Sequence, residues 1–195
     1  MAPNGRLAAG PRCIAIVGPF QSGKTTLLEA ILERTGAIAR AGRVSNGDSV
    51  GDASAEARAH AMSIEPNVAT VDFLGESLTF VDCPGSTEFL HEMRGITPVC
   101  DAAIVVCEAD ERKIPALEII LRELEEADIP RFLFINKIDR MGADPSAVLA
   151  AVRRRLTSDV LAMGSVTEAG SRAAGFRAYQ GQDAAFRDRA AAALA

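Results

Sequence analysis

The chain has 195 residues, 48% of them apolar, a formal charge of −5 and a sequence pI of about 5.1. That length suits one domain of ordinary size, and the apolar share excludes a disordered chain. The acidic balance argues against a generic nucleic-acid surface and against sequence-specific DNA binding. No run of about eighteen apolar residues occurs, so no membrane-spanning helix is expected. Residues 1–11 lack an apolar core ahead of a cleavage site and read as a flexible leader.

Residues 12–17 are a short apolar run ending at Gly18, the signature of a buried parallel strand. Residues 24–34 then place Leu27, Leu28, Ile31 and Leu32 at helical spacing, with Gly36 as the stop. Residues 37–66 are broken by Gly42, Gly47 and Gly51 and read as a mobile loop over the site, with a weak helix at 53–61. Two strands are expected at 68–74 and 77–82 around a Gly75-Glu76 turn. Another strand is expected within 99–107, an amphipathic helix at 115–127, a strand at 131–135 and a helix at 146–156. Beyond 157 the chain is dense in alanine, arginine and glycine. It predicts no strand and only a weak helix near 183–194. The cysteines, Cys13, Cys83, Cys100 and Cys107, form no CxxC pair and read as reduced thiols in a cytoplasmic protein.

Three motifs carry chemistry. Gly18-Pro19-Phe20-Gln21-Ser22-Gly23-Lys24-Thr25 matches GxxxxGK(S/T) at every fixed position, between a strand and a helix. Glycine lets the backbone curl so that successive N–H groups form an anion nest, and the helix adds its positive end. Lys24 reaches β and γ phosphates, and the Thr25 hydroxyl suits a magnesium ion. The second motif, Asp82-Cys83-Pro84-Gly85, ends a strand. An ordinary turn is one reading of it. Downstream of a phosphate loop the other is an aspartate for magnesium and a glycine N–H that swings toward a γ-phosphate. The third, Asn136-Lys137-Ile138-Asp139, follows a strand. The Asp139 carboxylate matches the paired donors of guanine, which adenine lacks. Asn136 ties the loops together and the Lys137 stem lies over the base. The ordered trio selects a guanine nucleotide. Ser63, in the segment 37–66, is either a surface serine or a hydroxyl that coordinates magnesium when GTP is bound.

These strings, with GRVSNGDSVGD (42–52), AMSI (61–64), FVDCPGSTEF (80–89) and PRFLFINKIDRMGAD (130–144), resemble the G domain of translational GTPases, above all bacterial elongation factor G and its relatives. Past Asp139, the RMGAD portion (140–144) has no nucleotide role of its own, yet it shares in the match. The resemblance covers about residues 12–156. It implies an α/β, P-loop GTPase-like three-layer fold with a mostly parallel sheet, here lacking a regular final strand. It divides the chain into the leader, a GTP-binding domain at 12–157 and a tail at 158–195, weakly helical or disordered. It implies GTP hydrolysis with magnesium and a ribosomal partner.

The family's roles pass to matching positions. Lys24, Gly85 and Ser63 are the catalytic candidates. Gly18, Gln21, Ser22, Gly23, Lys24, Thr25 and Thr26 hold phosphates, while Asn136, Lys137 and Asp139 read the base. Thr25, Ser63 and Asp82 serve magnesium.

Three departures qualify these expectations. Ser86 stands where the family usually has a histidine that positions water, and serine is a poor base at neutral pH. Gln21 or His91 can stand in, although His91 reads first as a solvated helix residue. Ser171-Arg172-Ala173-Ala174 lacks the apolar strand that precedes the family's serine-alanine loop, so the guanine pocket is expected to be incompletely closed. The further domains of elongation factor G are absent from these 195 residues, which are not expected to drive translocation alone. The sequence supports two functional readings: a GTPase, or a nucleotide-sensing module with little hydrolysis.

Overall fold

The computed structural model describes residues 12–42, 66–85, 94–156, 160–180 and 183–193. They fall into two compact units. Residues 1–106 and 122–134 belong to the first, and residues 107–121 and 135–195 to the second.

A five-stranded sheet organises the first unit, in the order β2-β3-β1-β4-β5. Its strands are β1 (Arg12–Val17), β2 (Asn67–Phe73), β3 (Glu76–Asp82), β4 (Ala102–Glu108) and β5 (Arg131–Asn136), the last two running on into the second unit. β1 pairs in parallel with β3 and with β4, and β2 is antiparallel to β3. The sheet is therefore mostly parallel, and it takes no strand from the described tail. Central strands in such a sheet are covered on both faces, which is why β1 and β4 read as continuous apolar runs.

Helix α1 (Lys24–Thr35) packs on β1, β2 and β3. Leu28 and Leu32 enter a core with Ile16, Val71, Phe80 and Val106. Each such side chain contributes roughly 1.5–3 kcal/mol by leaving water. The helix ends where the sequence predicts. Gly36 takes a left-handed φ of 79°, and the Ala37 N–H donates to the Leu32 carbonyl, closing the last turn.

The β2–β3 turn falls one residue earlier than expected. Leu74 (φ 53°) and Gly75 (φ 83°) make it, and Phe73 pairs with Glu76. Two consecutive left-handed residues match the twist of a two-residue hairpin, and that requirement outweighs the steric cost of a left-handed leucine.

The second unit contains the first part of helix α2 (Ile114–Glu126), helix α3 (Pro145–Arg155), strands β6 (Gly164–Thr167) and β7 (Gly175–Ala178), and helix α4 (Ala184–Ala193). Helix α2 buries Leu117, Ile120, Leu121 and Leu124, the face its periodicity predicts. Helix α3 is capped by Asp144, whose side chain accepts from the Ala147 N–H at 2.9 Å.

The expectation of a tail without strands is corrected: β6 and β7 form an antiparallel hairpin. At four residues each, with Val166 the sole β-branched apolar residue in β6, they give almost no period-2 signal. Helix α4 lies where a weak helix was expected, and the Tyr179 and Phe186 rings meet at 5.8 Å between hairpin and helix.

All four cysteines are free. The Cys13 and Cys100 sulfurs approach to 3.4 Å, and burial together with Cys13 pushes the Cys100 thiol up to about 12.

Candidate functional site

In the first unit, β1 delivers the chain into the phosphate loop and α1 leaves it. Gly18 sits against β4: a Cβ there would lie 2.1 Å from the Val106 carbonyl oxygen. No side chain fits, so glycine is required by close backbone approach as well as by its φ of 150°. Gln21 (φ 58°) and Gly23 (φ 98°) are also left-handed, and they turn the loop back toward the helix. Gly23 occupies the N-cap without a side-chain cap, and the first turn carries no acid. The start of α1 thus presents main-chain N–H groups beside the Lys24 cation.

Lys24 is 8% exposed. Its ammonium donates to the Gly18 carbonyl at 3.0 Å and the Pro19 carbonyl at 3.2 Å, folded back over the loop it belongs to. Gly85 closes on the same atom: a Cβ at Gly85 would stand 2.2 Å from Lys24 Nζ and 3.0 Å from both carbonyl oxygens. The structure therefore brings Lys24 and Gly85 together, two residues far apart in sequence. Ser22 is buried, Thr25 half-buried, and Gln21 and Thr26 are exposed on the same loop.

Asp82 is fully buried at the end of β3. Its Oδ2 accepts from the Thr25 hydroxyl at 2.6 Å. Its Oδ1 has no hydrogen-bond partner among the described residues. Burial raises the carboxyl above its ordinary 3.8, with the Thr25 hydrogen bond and the Lys24 charge opposing. A buried carboxylate oxygen without a donor, next to a hydroxyl, is costly unless something else satisfies it. Carboxylate and hydroxyl oxygens are the hard donors magnesium prefers, so the donor set fits that ion. Ser63, Ser86 and His91 lie outside the described residues.

In the second unit, Asn136 ends β5 and Lys137 takes a left-handed φ of 58°. The Asn136 side-chain oxygen accepts from the Lys137 N–H at 2.8 Å, which fixes the turn. The Lys137 ammonium donates to Glu108 Oε1 at 2.9 Å, and Arg140 lies 3.6 Å from Glu108 Oε2. The Asn136 carbonyl accepts from the Ala109 N–H at 3.0 Å, and the Asp144 N–H donates to the Ala109 carbonyl at 2.9 Å. From the tail, the Gly170 N–H donates to the Ile138 carbonyl at 2.7 Å. Asp139 is exposed. The segment 168–174, which contains the serine and alanines noted in sequence, does follow a strand, β6, and one of its residues bonds the turn that begins at Asn136.

Glu108 has no place among the sequence motifs. The one trace of it is a carboxylate directly after the apolar run 103–107, where a strand would otherwise pass into a loop.

A family model described as the elongation factor Tu GTP binding domain matches residues 11–185. An elongation factor G-like protein from Synechocystis sp. (strain ATCC 27184 / PCC 6803 / Kazusa) is 43% identical over 142 residues, covering 73% of this chain and 21% of that protein. An oxytetracycline resistance protein from Streptomyces rimosus is 35% identical over 158 residues, covering 81% of this chain and 24% of that protein. The chain thus spans less than a quarter of the length of these curated relatives. A solved structure from Thermus thermophilus superposes with a TM-score of 0.73 at 28% identity, over 91% of this chain and 30% of that one.

Proposed function

Since the chain belongs to the elongation factor Tu GTP-binding domain family, we propose that it binds GTP and GDP with magnesium and hydrolyses GTP to GDP and phosphate. One observation carries the reading: the Lys24 ammonium is held over the phosphate loop by two loop carbonyls, with Gly85 close against it and the Thr25–Asp82 pair alongside. A buried cation backed by main-chain N–H groups supplies the charge and the donors that a triphosphate requires.

Each residue then has a task. Lys24 exchanges carbonyl partners for phosphate oxygens. Thr25 and Asp82 would hold magnesium, which when bound would neutralise phosphate charge. The Gly85 N–H is assigned to the γ-phosphate, and without a Cβ the glycine stays close to Lys24. Asp139 reads guanine, and Ser63 joins from the segment 37–66. Water attacks in line, with little help from Ser86, so turnover of the isolated chain is slow.

The family also supports a place in translation, with the ribosome as partner in the cytoplasm. That role depends on more than the quarter of a relative's length found here.

Ser86 favours a second reading, a GTP/GDP switch with little or no hydrolysis. Magnesium-dependent binding of GTP, GDP and ATP tests the first claim. Preference for ATP, or binding unaffected by Lys24→Ala, removes it. Single-turnover hydrolysis, with Lys24→Ala as the blank, separates the readings. Activity absent in the parent and restored by Ser86→His establishes the switch.

A further inference from the structure

The guanine reading leaves Glu108 unexplained. It is a carboxylate only 13% exposed, at the end of a buried strand, and it engages two cations. Burying a charge at that position is costly unless the pairing serves something.

The geometry shows what it holds. Glu108 and Ala109 meet the segment Asn136–Asp144 at four points. Oε1 takes the Lys137 ammonium at 2.9 Å and Oε2 faces Arg140 at 3.6 Å. The Ala109 N–H donates to the Asn136 carbonyl, and the Ala109 carbonyl accepts from the Asp144 N–H. Two adjacent residues thus bracket both ends of the base-reading turn. Within RMGAD (140–144), the Arg140 guanidinium and the Asp144 N–H are the groups that face this pair of residues.

Lys137 is the member that matters for recognition. Its backbone is left-handed, a conformation that costs a non-glycine residue about 1 kcal/mol or more and needs support from its surroundings. Its side chain is long, and an unrestrained lysine loses much rotamer entropy when it settles against a ligand. A fixed ammonium removes much of that loss in advance, because a stem tethered at both ends has fewer rotamers to lose.

We infer that Glu108 is a positioning residue for guanine recognition: by pinning the Lys137 ammonium it preorganises the lysine stem and the turn that presents Asp139. This rests on the guanine reading above. Glu108 itself touches no nucleotide in this scheme; it acts through Lys137. The consequence is selective. Loss of the carboxylate weakens binding of a guanine base and leaves phosphate binding in the other unit untouched.

The test is a double-mutant cycle on the full chain, with GDP and ADP titrated calorimetrically in the presence of magnesium. Glu108→Gln keeps size and removes charge; Lys137→Met keeps the stem and removes the ammonium. Each single variant should weaken GDP binding about tenfold and ADP binding by clearly less, because the stem lies over either base but only guanine engages Asp139, and the double variant should be no weaker than the weaker single. A purely structural loss would lower both affinities equally.

GDP binding unchanged in Glu108→Gln, or losses that multiply in the double variant, would overturn the assignment of Glu108 while leaving the guanine reading intact. A parent chain with no preference for GDP over ADP would remove the guanine reading, and this inference with it. Should Glu108→Gln fail to fold, Glu108→Asp, one methylene shorter, is read against Lys137→Met in the same way.

Discussion

The phosphate loop and the base-reading turn are built by different physics. In the first, the main chain sets the geometry. Gly18 lies so near β4 that no Cβ fits, Gly85 lies equally near Lys24, and the lysine is satisfied by carbonyls of its own loop. In the second, the turn is held largely by side chains: Asn136 to the Lys137 N–H, Glu108 to Lys137 and Arg140. Steric construction tolerates almost no substitution. Ion-pair construction degrades by steps, each step set by how much water reaches the pair.

The largest effect should come from breaking the steric region. Gly18→Ala drives a methyl into the Val106 backbone, which cannot swing aside as a side chain would. We expect a loss at or above the roughly 1–3 kcal/mol usual for overpacking, measured by urea unfolding. Gly85→Ala is the informative partner. Its Cβ meets the end of the Lys24 side chain at 2.2 Å and two loop carbonyl oxygens only at 3.0 Å, so the fold should survive with a small shift of the loop while the ammonium is displaced. Near-parental unfolding with nucleotide affinity lost would show that Gly85 is there for the lysine; equal unfolding losses in the two variants would refute the distinction.

Next in size is Asp139→Asn in the base-reading turn. Replacing an acceptor-only carboxylate with an amide leaves one guanine donor unmatched. The preference for GTP over ATP should fall by about tenfold to a hundredfold, since an unsatisfied polar group costs about 1–3 kcal/mol. Asp139 is exposed, so stability should hardly move. An unchanged preference in competition titrations would sink its role.

The contrast also explains what could be read from the sequence. Main-chain motifs are legible because geometry forces residue identity. Glycine at 18 and 85 follows from close backbone approach, and the structure brings Lys24 to Gly85 and Thr25 to Asp82. The strands and helices that carry them also fall close to their expected ranges, because apolar periodicity records burial. Side-chain supports leave fainter marks. Nothing local distinguishes Glu108 from a solvated acid at a strand end, because its partners are 29 and 32 residues onward. The hairpin of β6 and β7 leaves no mark in the sequence for a related reason. Its strands are too short for a period, and a bond such as Gly170 to Ile138 is long-range in sequence.

A smaller effect is expected at Asp82. Burial raises its carboxyl above 3.8, so the folded state holds that proton more tightly than the unfolded chain does. Stability from this group therefore falls as pH rises from 3.8 through the folded-state value, and the cost persists at neutral pH. Asp82→Asn removes the buried charge. The nucleotide-free variant should gain about 1 kcal/mol at neutral pH, the scale for one unsatisfied buried group, and lose that gain in acid. Magnesium-dependent GTP binding should fall in the same variant. A destabilised variant at neutral pH would mean that the carboxylate is better satisfied than its lone Oδ1 indicates.

The smallest effect should come from Arg140→Ala, and it tests how the Glu108 clamp divides its labour. Arg140 is 62% exposed and stands 3.6 Å from Glu108, whereas Lys137 is 18% exposed and hydrogen-bonded at 2.9 Å. Exposed ion pairs are screened and contribute about 0–1 kcal/mol, and this one lies toward the lower end because a nearer cation already occupies the carboxylate. Guanine affinity and thermal stability should both change by less than about half a kcal/mol, with any loss vanishing in high salt. A larger loss, surviving in salt, would mean that the turn is held by the arginine and that Lys137 follows passively. The preorganisation assigned to the inner pair would then belong to the outer one.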